Sequence, residues 1–515
     1  MSHVASGHER VRAAFAQRAA ALAATLLGTG PVEVPVYDAP LDALASGDNG
    51  SVALARVVDR LVSGRRTDEL WLTLTVLTTV FPSETLLLEA RRNLATLARA
   101  DFFVWLLAET AQVAYERGRG ERFAEVLEDK VVAEVDGCAR SNRNTGIQRV
   151  VRETMSRWYG RFPVRLVAWN DRSNAFQDLT AAQRVRVLQW GKVEPDAEID
   201  RDLDDNISPI LVPWRCRIIL PEVCTRGQSA VYESIGRYSG NTISAIGYDC
   251  IPLVSPEALP PPGGTDFLHY LRVLREAEVV SPISRAATAE FDGFFSAVAA
   301  QNRPTPRVVE CELAADAPPS TPGSLGLGRS LSTPLLVAVG THEPRKNHLA
   351  ILQASEILWR EGLEFEVMFL GGAGFGTSFD TRLEELIALG RPVSARRGVS
   401  DDFLWSAYRE AAFTLFPSLH EGYGLPVAES IACGTPVITT DYGSTLEIAE
   451  RGGALVIDPR SDAALVTAMR DLLSGGEALA KLSAECRAAR LRTWDDYSDE
   501  LWAVLTAGAT LGAFA

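Results

Sequence analysis

The chain has 515 residues, enough for about three domains. Its 51 Lys and Arg against 66 Asp and Glu leave a net charge of −15, a poor electrostatic match for nucleic acid, so that class is set aside. Seven dispersed cysteines without a CxxC fit reduced thiols better than a disulfide framework, and six histidines form no HExxH-type cluster, so no metal site is expected.

Residues 1–128 read as mainly helical. Val11, Phe15, Leu22 and Leu26 recur at helical spacing, and Thr85–Ala100 and Asp101–Arg117 give two further helical patterns. Residues 31–40 and 46–51 read as loops. The apolar run Leu70–Phe81 carries several threonines and is shorter than the roughly 20 residues of a membrane span. Ala19–Leu27 follows arginines, as in a signal peptide, but lacks a small-x-small cleavage site. A cytoplasmic chain is expected, with peripheral contact at the inner membrane face as the alternative. The helical stretch itself has two readings. One is an extension packed on the main body, favoured because Arg-flanked amphipathic helices are common in ordinary domains. The other is a surface for a protein partner or a peripheral membrane contact.

At Lys130 the pattern changes. Val131–Val135 is an apolar strand ending in Asp136-Gly137, and Thr145-Gly146-Ile147-Gln148-Arg149 opens a helix running to about Trp158. Further strands are expected at 164–169, 217–220, 242–247 and 277–281, with helices near 229–238, 265–276 and 284–295. Alternation of this kind predicts an α/β fold with a parallel, doubly wound sheet. The stretch 172–214 reads as an insertion. Residues 314–332, rich in Pro, Gly and Ser, read as an interdomain linker. A second α/β series follows, with strands at 335–339, 365–370, 393–398, 413–416, 437–439 and 454–457 and helices between them. Two Rossmann-like halves place ligands outside the carboxyl ends of their strands, in the cleft they face.

Three strand ends in the second half carry suggestive residues. Gly340-Thr341-His342-Glu343-Pro344-Arg345-Lys346-Asn347 sets two adjacent cations before a helix, a pattern suited to phosphate. Leu370-Gly371-Gly372-Ala373-Gly374 permits close backbone approach. His420-Glu421-Gly422-Tyr423-Gly424-Leu425-Pro426-Val427-Ala428-Glu429 puts two carboxylates around a glycine turn and a helix start, an arrangement that favours an anion. Asp202-Leu203-Asp204 is a D-x-D, but it lies in a polar run with Glu198 and Asp200 and reads as a solvated loop.

Residues 131–507 resemble a retaining glycosyltransferase of family 4 with the two-domain GT-B fold. The resemblance rests on Glu421–Glu429 followed by Cys433-Gly-Thr-Pro-Val-Ile, on Val339–Asn347, and on Val399-Ser-Asp401 and Thr493-Trp494-Asp495. In the first half it rests on Asp136-Gly137, Thr145–Arg149, Tyr248-Asp249-Cys-Ile-Pro252 and Ser281-Pro-Ile-Ser284. Residues 1–128, the helical extension, lie outside it, and it implies a first domain at 129–313, completed by the C-terminal helix 493–515. The linker at 314–332 and a second, donor-binding domain at 333–492 follow.

The resemblance also implies transfer of a hexose from a GDP- or UDP-linked sugar to an acceptor hydroxyl, with no cofactor and no metal. Surface polysaccharide or glycoconjugate synthesis is the expected setting. The acceptor is a glycan, lipid-linked, protein or small-molecule hydroxyl. Glu429 is expected to bind the ribose hydroxyls and Glu421 to sit by the transferred sugar. Arg345 and Lys346 neutralise the diphosphate. Gly340, Thr341, Gly371, Gly372 and the turn Gly422-Tyr423-Gly424-Leu425 line the donor. The amides of residues 424–427 add fixed dipoles at a helix N-terminus. Many relatives have His-Asp where this chain has Tyr248-Asp249, so Asp249 remains to meet the sugar or acceptor hydroxyl. Gly146 lets the first-domain loop approach the diphosphate. His420 is expected to shape its loop rather than move a proton. The alternatives are another GT-B enzyme, such as an epimerase, and a non-catalytic scaffold whose helical extension binds a partner.

Overall fold

A computed structural model describes residues 2–34, 50–118, 120–191, 208–258, 263–318, 333–375 and 378–508. The D-x-D at 202–204 and most of the expected linker, 319–332, lie outside the described residues.

Among the described residues, five helices precede the first sheet: Ser2–Leu27, Ser51–Gly64, Thr67–Thr78, Glu84–Thr96 and Arg99–Val113. The Thr67–Thr78 helix is buried from Glu69 to its end, which explains the threonines in its apolar run. Thr73, Thr75 and Thr78 each donate to the carbonyl one turn back, at 2.8, 2.8 and 2.7 Å, so these three buried hydroxyls are all paired. Glu69, equally buried, is held by Arg60 at 2.8 Å. No helix among the described residues is long and apolar enough to cross a membrane.

The helices share one core with the first sheet. Trp71 stacks on Phe81 at 5.7 Å, and Phe81 meets Phe176 edge-on at 5.0 Å. Leu22, Leu54 and Leu74 belong to the same apolar cluster as Trp169, Val212 and Tyr232. This matches the packed-extension reading, because the apolar stripe of the bundle is spent on the sheet.

The first sheet has nine strands: β1 Ala124–Glu128, β2 Val131–Glu134, β3 Val164–Asn170, β4 Ala175–Asp178, β5 Ile210–Trp214, β6 Arg217–Leu220, β7 Thr242–Gly247, β8 Val279–Pro282 and β9 Arg307–Val308. Their order is β1-β5-β4-β3-β2-β6-β7-β8-β9. The sheet is parallel, as expected, except at β4. β4 runs antiparallel to both β3 and β5, because a four-residue turn from Asp171 to Asn174 folds the chain straight back on β3. The stretch that read as an insertion thus supplies two sheet strands. β1, which falls inside the stretch read as helical, pairs in parallel with β5 at the sheet edge.

The second sheet is all parallel: β10 Leu335–Val339, β11 Glu366–Leu370, β12 Val393–Arg396, β13 Phe413–Phe416, β14 Val437–Thr440 and β15 Ala454–Ile457, in the order β12-β11-β10-β13-β14-β15. The strand order reverses between β10 and β13. Those two strands are adjacent, yet their connections leave in opposite directions, and a crevice opens at their carboxyl ends. Both charged motifs follow these two strands.

The two domains meet along an apolar seam that includes Val135, Val150 and Tyr248 from the first and Tyr423, Val427 and Ile431 from the second. The final helix, Trp494–Thr506, returns to the first domain. There Trp158 Nε1 donates to the Ser498 carbonyl at 2.9 Å, and Trp502 stacks on Phe162 at 4.5 Å. The two crossing segments run side by side, joined by Ala315 N–H to the Arg492 carbonyl at 3.2 Å.

Candidate active site

The site is built on the loops after β10 and β13. Gly340 takes φ +145, a backbone region closed to other residues, and turns the chain out of β10. Pro344–Lys346 then forms a 3-10 turn, and Asn347, at φ 57, leads into the His348–Arg360 helix. The Arg345 carbonyl accepts from Leu419 N–H at 2.8 Å and from Ser418 Oγ at 3.1 Å, so the cation loop is fastened to the loop after β13.

The second glycine cluster supports the first loop from below. A Cβ on Gly371 would lie 1.8 Å from the Gly340 carbonyl oxygen, and one on Gly374 would lie 2.1 Å from that of His342. Gly372 accepts from His342 N–H at 3.1 Å and lies beside Thr341, whose methyl would be 3.8 Å from an added Cβ. Gly371→Ala is therefore expected to push the cation loop out of place. It should cost at least about 1–3 kcal/mol of stability as overpacking, read as a lowered unfolding midpoint, and should weaken nucleotide binding with it.

Arg345 and Lys346 converge on Glu421. Arg345 Nη1 lies 2.8 Å from one carboxylate oxygen and Lys346 Nζ 2.6 Å from the other, and Ser418 Oγ donates as well. All three charged side chains are largely buried. Burial pushes the Glu421 carboxyl up, but the two cations and their hydrogen bonds outweigh it and hold the group at about 2. Burial, together with Arg345, pulls the Lys346 ammonium below its ordinary value, against the raising effect of Glu421. Its Nζ also lies over the Phe416 ring at 4.9 Å.

Past Glu421 the turn presses on the first domain. A Cβ on Gly422 would sit 2.8 Å from the Tyr248 carbonyl oxygen and 2.9 Å from Asp249 Oδ2, so glycine is what lets the two loops touch. Asp249 accepts from Ile251 N–H at 3.1 Å through Oδ1, which makes it a loop cap, and turns Oδ2 toward Gly422. Burial raises its carboxyl to about 6, against the lowering effects of the Ile251 amide and Arg345. Gly146 also reaches the interface, where an added Cβ would lie 3.8 Å from Leu425 Cδ1.

Tyr423 is buried in the apolar seam and its hydroxyl donates to the Leu313 carbonyl at 2.9 Å, so its side chain braces the domain interface. Of the amides from 424 to 427, Pro426 has none and that of Val427 donates to the Gly424 carbonyl at 2.9 Å. Of the amides expected to add fixed dipoles, this leaves those of Gly424 and Leu425.

Glu429 is 2% exposed, and both its oxygens are engaged. Tyr408 donates to Oε2 at 2.8 Å, and Arg149, from the first domain, pairs with Oε1. The Arg149 guanidinium lies 5.2 Å from the Trp405 ring centre. Neither Arg149 nor Tyr408 stood out as a site residue in the sequence. Arg149 was legible as part of Thr145–Arg149, one turn into its helix, but nothing in the linear order says that it faces Glu429. Among the described residues, no group of three or more His, Cys, Asp or Glu is placed to hold a metal. An open cavity of about 580 Å³, lined by Glu312, Arg451, Arg492 and Glu500, lies at the crossing segments and takes no part in this constellation.

Comparison with known proteins finds likenesses in sequence and in fold. Residues 327–489 match the model of the family described as glycosyl transferases group 1. The serotype-specific mannosyltransferase WbdA of Escherichia coli is 29% identical over 244 residues, covering 45% of this chain and 29% of that protein. The D-inositol 3-phosphate glycosyltransferase of Thermomonospora curvata is 32% identical over 195 residues, covering 35% of this chain and 44% of that one. The chain thus spans less than half the length of these two relatives. A crystal structure of Anabaena HepE in complex with UDP aligns with a TM-score of 0.51 at 13% identity, covering 73% of this chain and all of that one, a likeness of fold. Residues 327–489 are thus similar to the glycosyl transferases group 1, and the two facing Rossmann-like domains make a GT-B fold.

Proposed function

We propose that the chain transfers a hexose from a GDP- or UDP-linked sugar to an acceptor hydroxyl, with retention at the anomeric carbon, in the synthesis of a surface polysaccharide. The observation that carries this reading is Glu421 buried between Arg345 and Lys346 at the switch point of the second sheet, facing Asp249 of the first domain. A mannosyl donor is favoured by the mannosyltransferase relatives.

In this reading the diphosphate sits on Arg345, Lys346 and the amides of Gly424 and Leu425. The anomeric C–O bond to phosphate breaks as the acceptor oxygen bonds to the same face. The acceptor proton passes to the departing phosphate oxygen, and the nucleoside diphosphate leaves. Charge grows on that phosphate oxygen, and preorganised cations lower the barrier most where charge grows. Two side-chain cations already serve that purpose, so no metal is required by this proposal. Glu421 keeps the pair in place and, beside them, accepts from the hydroxyls of the sugar ring. A carboxylate held at about 2 is a weak proton acceptor, which suits positioning rather than general base work. Asp249, with its carboxyl near 6, is the group facing the incoming hydroxyl.

The test is a thermal-shift and donor-hydrolysis screen over GDP-mannose, UDP-glucose and other common nucleotide sugars. A donor at 100 times its dissociation constant stabilises the fold by about 2.7 kcal/mol, which is readily seen. One responding donor, hydrolysed slowly to free sugar with the anomeric configuration kept, is the expected result. No shift and no hydrolysis across the panel would overturn the reading, and release of an epimerised nucleotide sugar without an acceptor would replace it with epimerase chemistry.

A further inference from the structure

Glu290 lies on the first-domain helix Arg285–Ala299, and neither the sequence motifs nor the chemistry above gives it a role. Its two oxygens point at the two halves of the site. Oε2 accepts from Cys250 N–H at 2.7 Å, the amide directly after Asp249. Oε1 lies 2.6 Å from Nε2 of His420, the residue directly before Glu421. The other imidazole nitrogen, Nδ1, is 2.9 Å from Ser255 Oγ, also of the first domain. The His420 carbonyl accepts from Arg345 Nη1 at 2.6 Å. One carboxylate thus connects the Asp249 loop to the loop carrying Glu421 and its cation.

We infer that Glu290 is a positioning residue, fixing Asp249 and Glu421 relative to each other across the domain interface through His420. The inference rests on the glycosyltransferase reading for what those two carboxylates do. The geometry is specific to a strut. The contact is charge-assisted and short, and both partners are largely buried, with 19% of the His420 side chain and 16% of that of Glu290 exposed. Each end grips a residue adjacent to a functional carboxylate, not the carboxylate itself. The strut therefore sets the distance between the two without competing for substrate.

Protonated His420 is what makes the link ionic. The groups facing it are Glu290, Asp249 and Glu421, with Ser255 at Nδ1 and Arg345 at its carbonyl. The hydrogen bond that Glu290 accepts raises the imidazole above its ordinary value, burial opposes this, and the charges of Glu290, Asp249 and Glu421 add to the rise. A group with a raised folded value contributes its full effect at low pH and loses it as pH climbs through that value. The strut is accordingly firm below the His420 value and slack above it.

The experiment compares the full-length wild type with Glu290→Gln and Glu290→Ala in donor hydrolysis, using GDP-mannose or UDP-glucose, whichever the wild type turns over. Glu290→Gln keeps the shape and the acceptor for Cys250 N–H while removing the charge. It is expected to move the alkaline limb of the kcat profile down by about one pH unit, with KM for the donor unchanged. Glu290→Ala is expected to lower kcat at every pH, again with KM little changed. In parallel, histidine-labelled protein reports the His420 titration by NMR, assigned with His420→Gln. The titration is expected to fall in Glu290→Gln. Identical pH profiles and an unmoved His420 titration would overturn the inference even if Glu290→Ala fails to fold. Loss of donor KM in place of kcat would overturn it too. A wild type that hydrolyses neither donor overturns the functional reading and the catalytic meaning of the strut, while the NMR titration still decides whether the ion pair exists.

Discussion

Glu421→Gln is expected to lower turnover by about 10²–10³-fold, the loss seen when a preorganised electrostatic partner is removed from an active site. The effect is indirect as well as direct. In the folded protein Glu421 is the shared partner of Arg345 and Lys346. Without its charge, Arg345 keeps only the longer contact to Glu343 at 3.4 Å and Lys346, already pulled down by burial, loses its carboxylate. Breaking a buried ion pair from one side costs about 3–5 kcal/mol, so the unfolding midpoint drops with the activity. Binding of the nucleoside diphosphate alone separates the two effects. The diphosphate supplies the missing negative charge, so its affinity should hold or rise while turnover collapses. Turnover within threefold of wild type would remove Glu421 from the mechanism. The pH dependence follows from the same geometry. A carboxyl held at about 2 in the fold contributes stability that is fully present above the ordinary carboxylate range and is lost as pH falls toward 2. Glu421→Gln should therefore flatten part of the acid-denaturation curve.

Glu429→Ala is expected to weaken nucleotide binding by about 10–100-fold, the worth of a charge-assisted hydrogen-bond set of about 1.5–3 kcal/mol. Sugar specificity should change little, because the contact proposed for Glu429 is with the ribose. Isothermal calorimetry with GDP and UDP measures it, and unchanged affinity removes the assignment. The structure sharpens this prediction. Glu429 is almost fully enclosed, with Arg149 on one oxygen and Tyr408 on the other. A ribose diol cannot reach an enclosed carboxylate unless a neighbour yields, and Arg149 is the neighbour that belongs to the other domain. Arg149→Ala is therefore expected to tighten nucleotide binding, since the ligand no longer displaces a guanidinium. Weaker binding in that variant would mean that Arg149 stays and holds Glu429 for the ribose.

Much of the site was legible because its chemistry is local. Arg345 and Lys346 are neighbours in sequence, and Glu421 and Glu429 stand around one turn and one helix start. β10 and β13 were legible as short apolar runs ending in glycine or polar turns, since parallel strands buried on both faces read as continuous apolar stretches. β1 and β4 were not. Ala124–Glu128 is five residues of mixed character, and it is a strand because β5 presents a free edge beside it. β4 is antiparallel because of the turn before it. The apolar turn residue Tyr423 looked like a site residue from its place in the motif. The fold spends it on the interface, where the Leu313 carbonyl takes its hydroxyl.

Which residues carry charge at the strand ends, and which glycines free the backbone there, is written in the linear order, because spacing along one loop fixes what one loop can present. The partners of Glu421 and Glu429 come from the packing of the two sheets. Glu421 takes its cations from a loop 75 residues earlier, brought alongside by the reversal of strand order at β10 and β13. Glu429 takes Arg149 from 280 residues earlier, across the domain interface. His420 takes Glu290 from 130 residues earlier, and so joins the two halves of the site. Contacts at that separation depend on how two sheets are set face to face, and no local pattern in the chain encodes it.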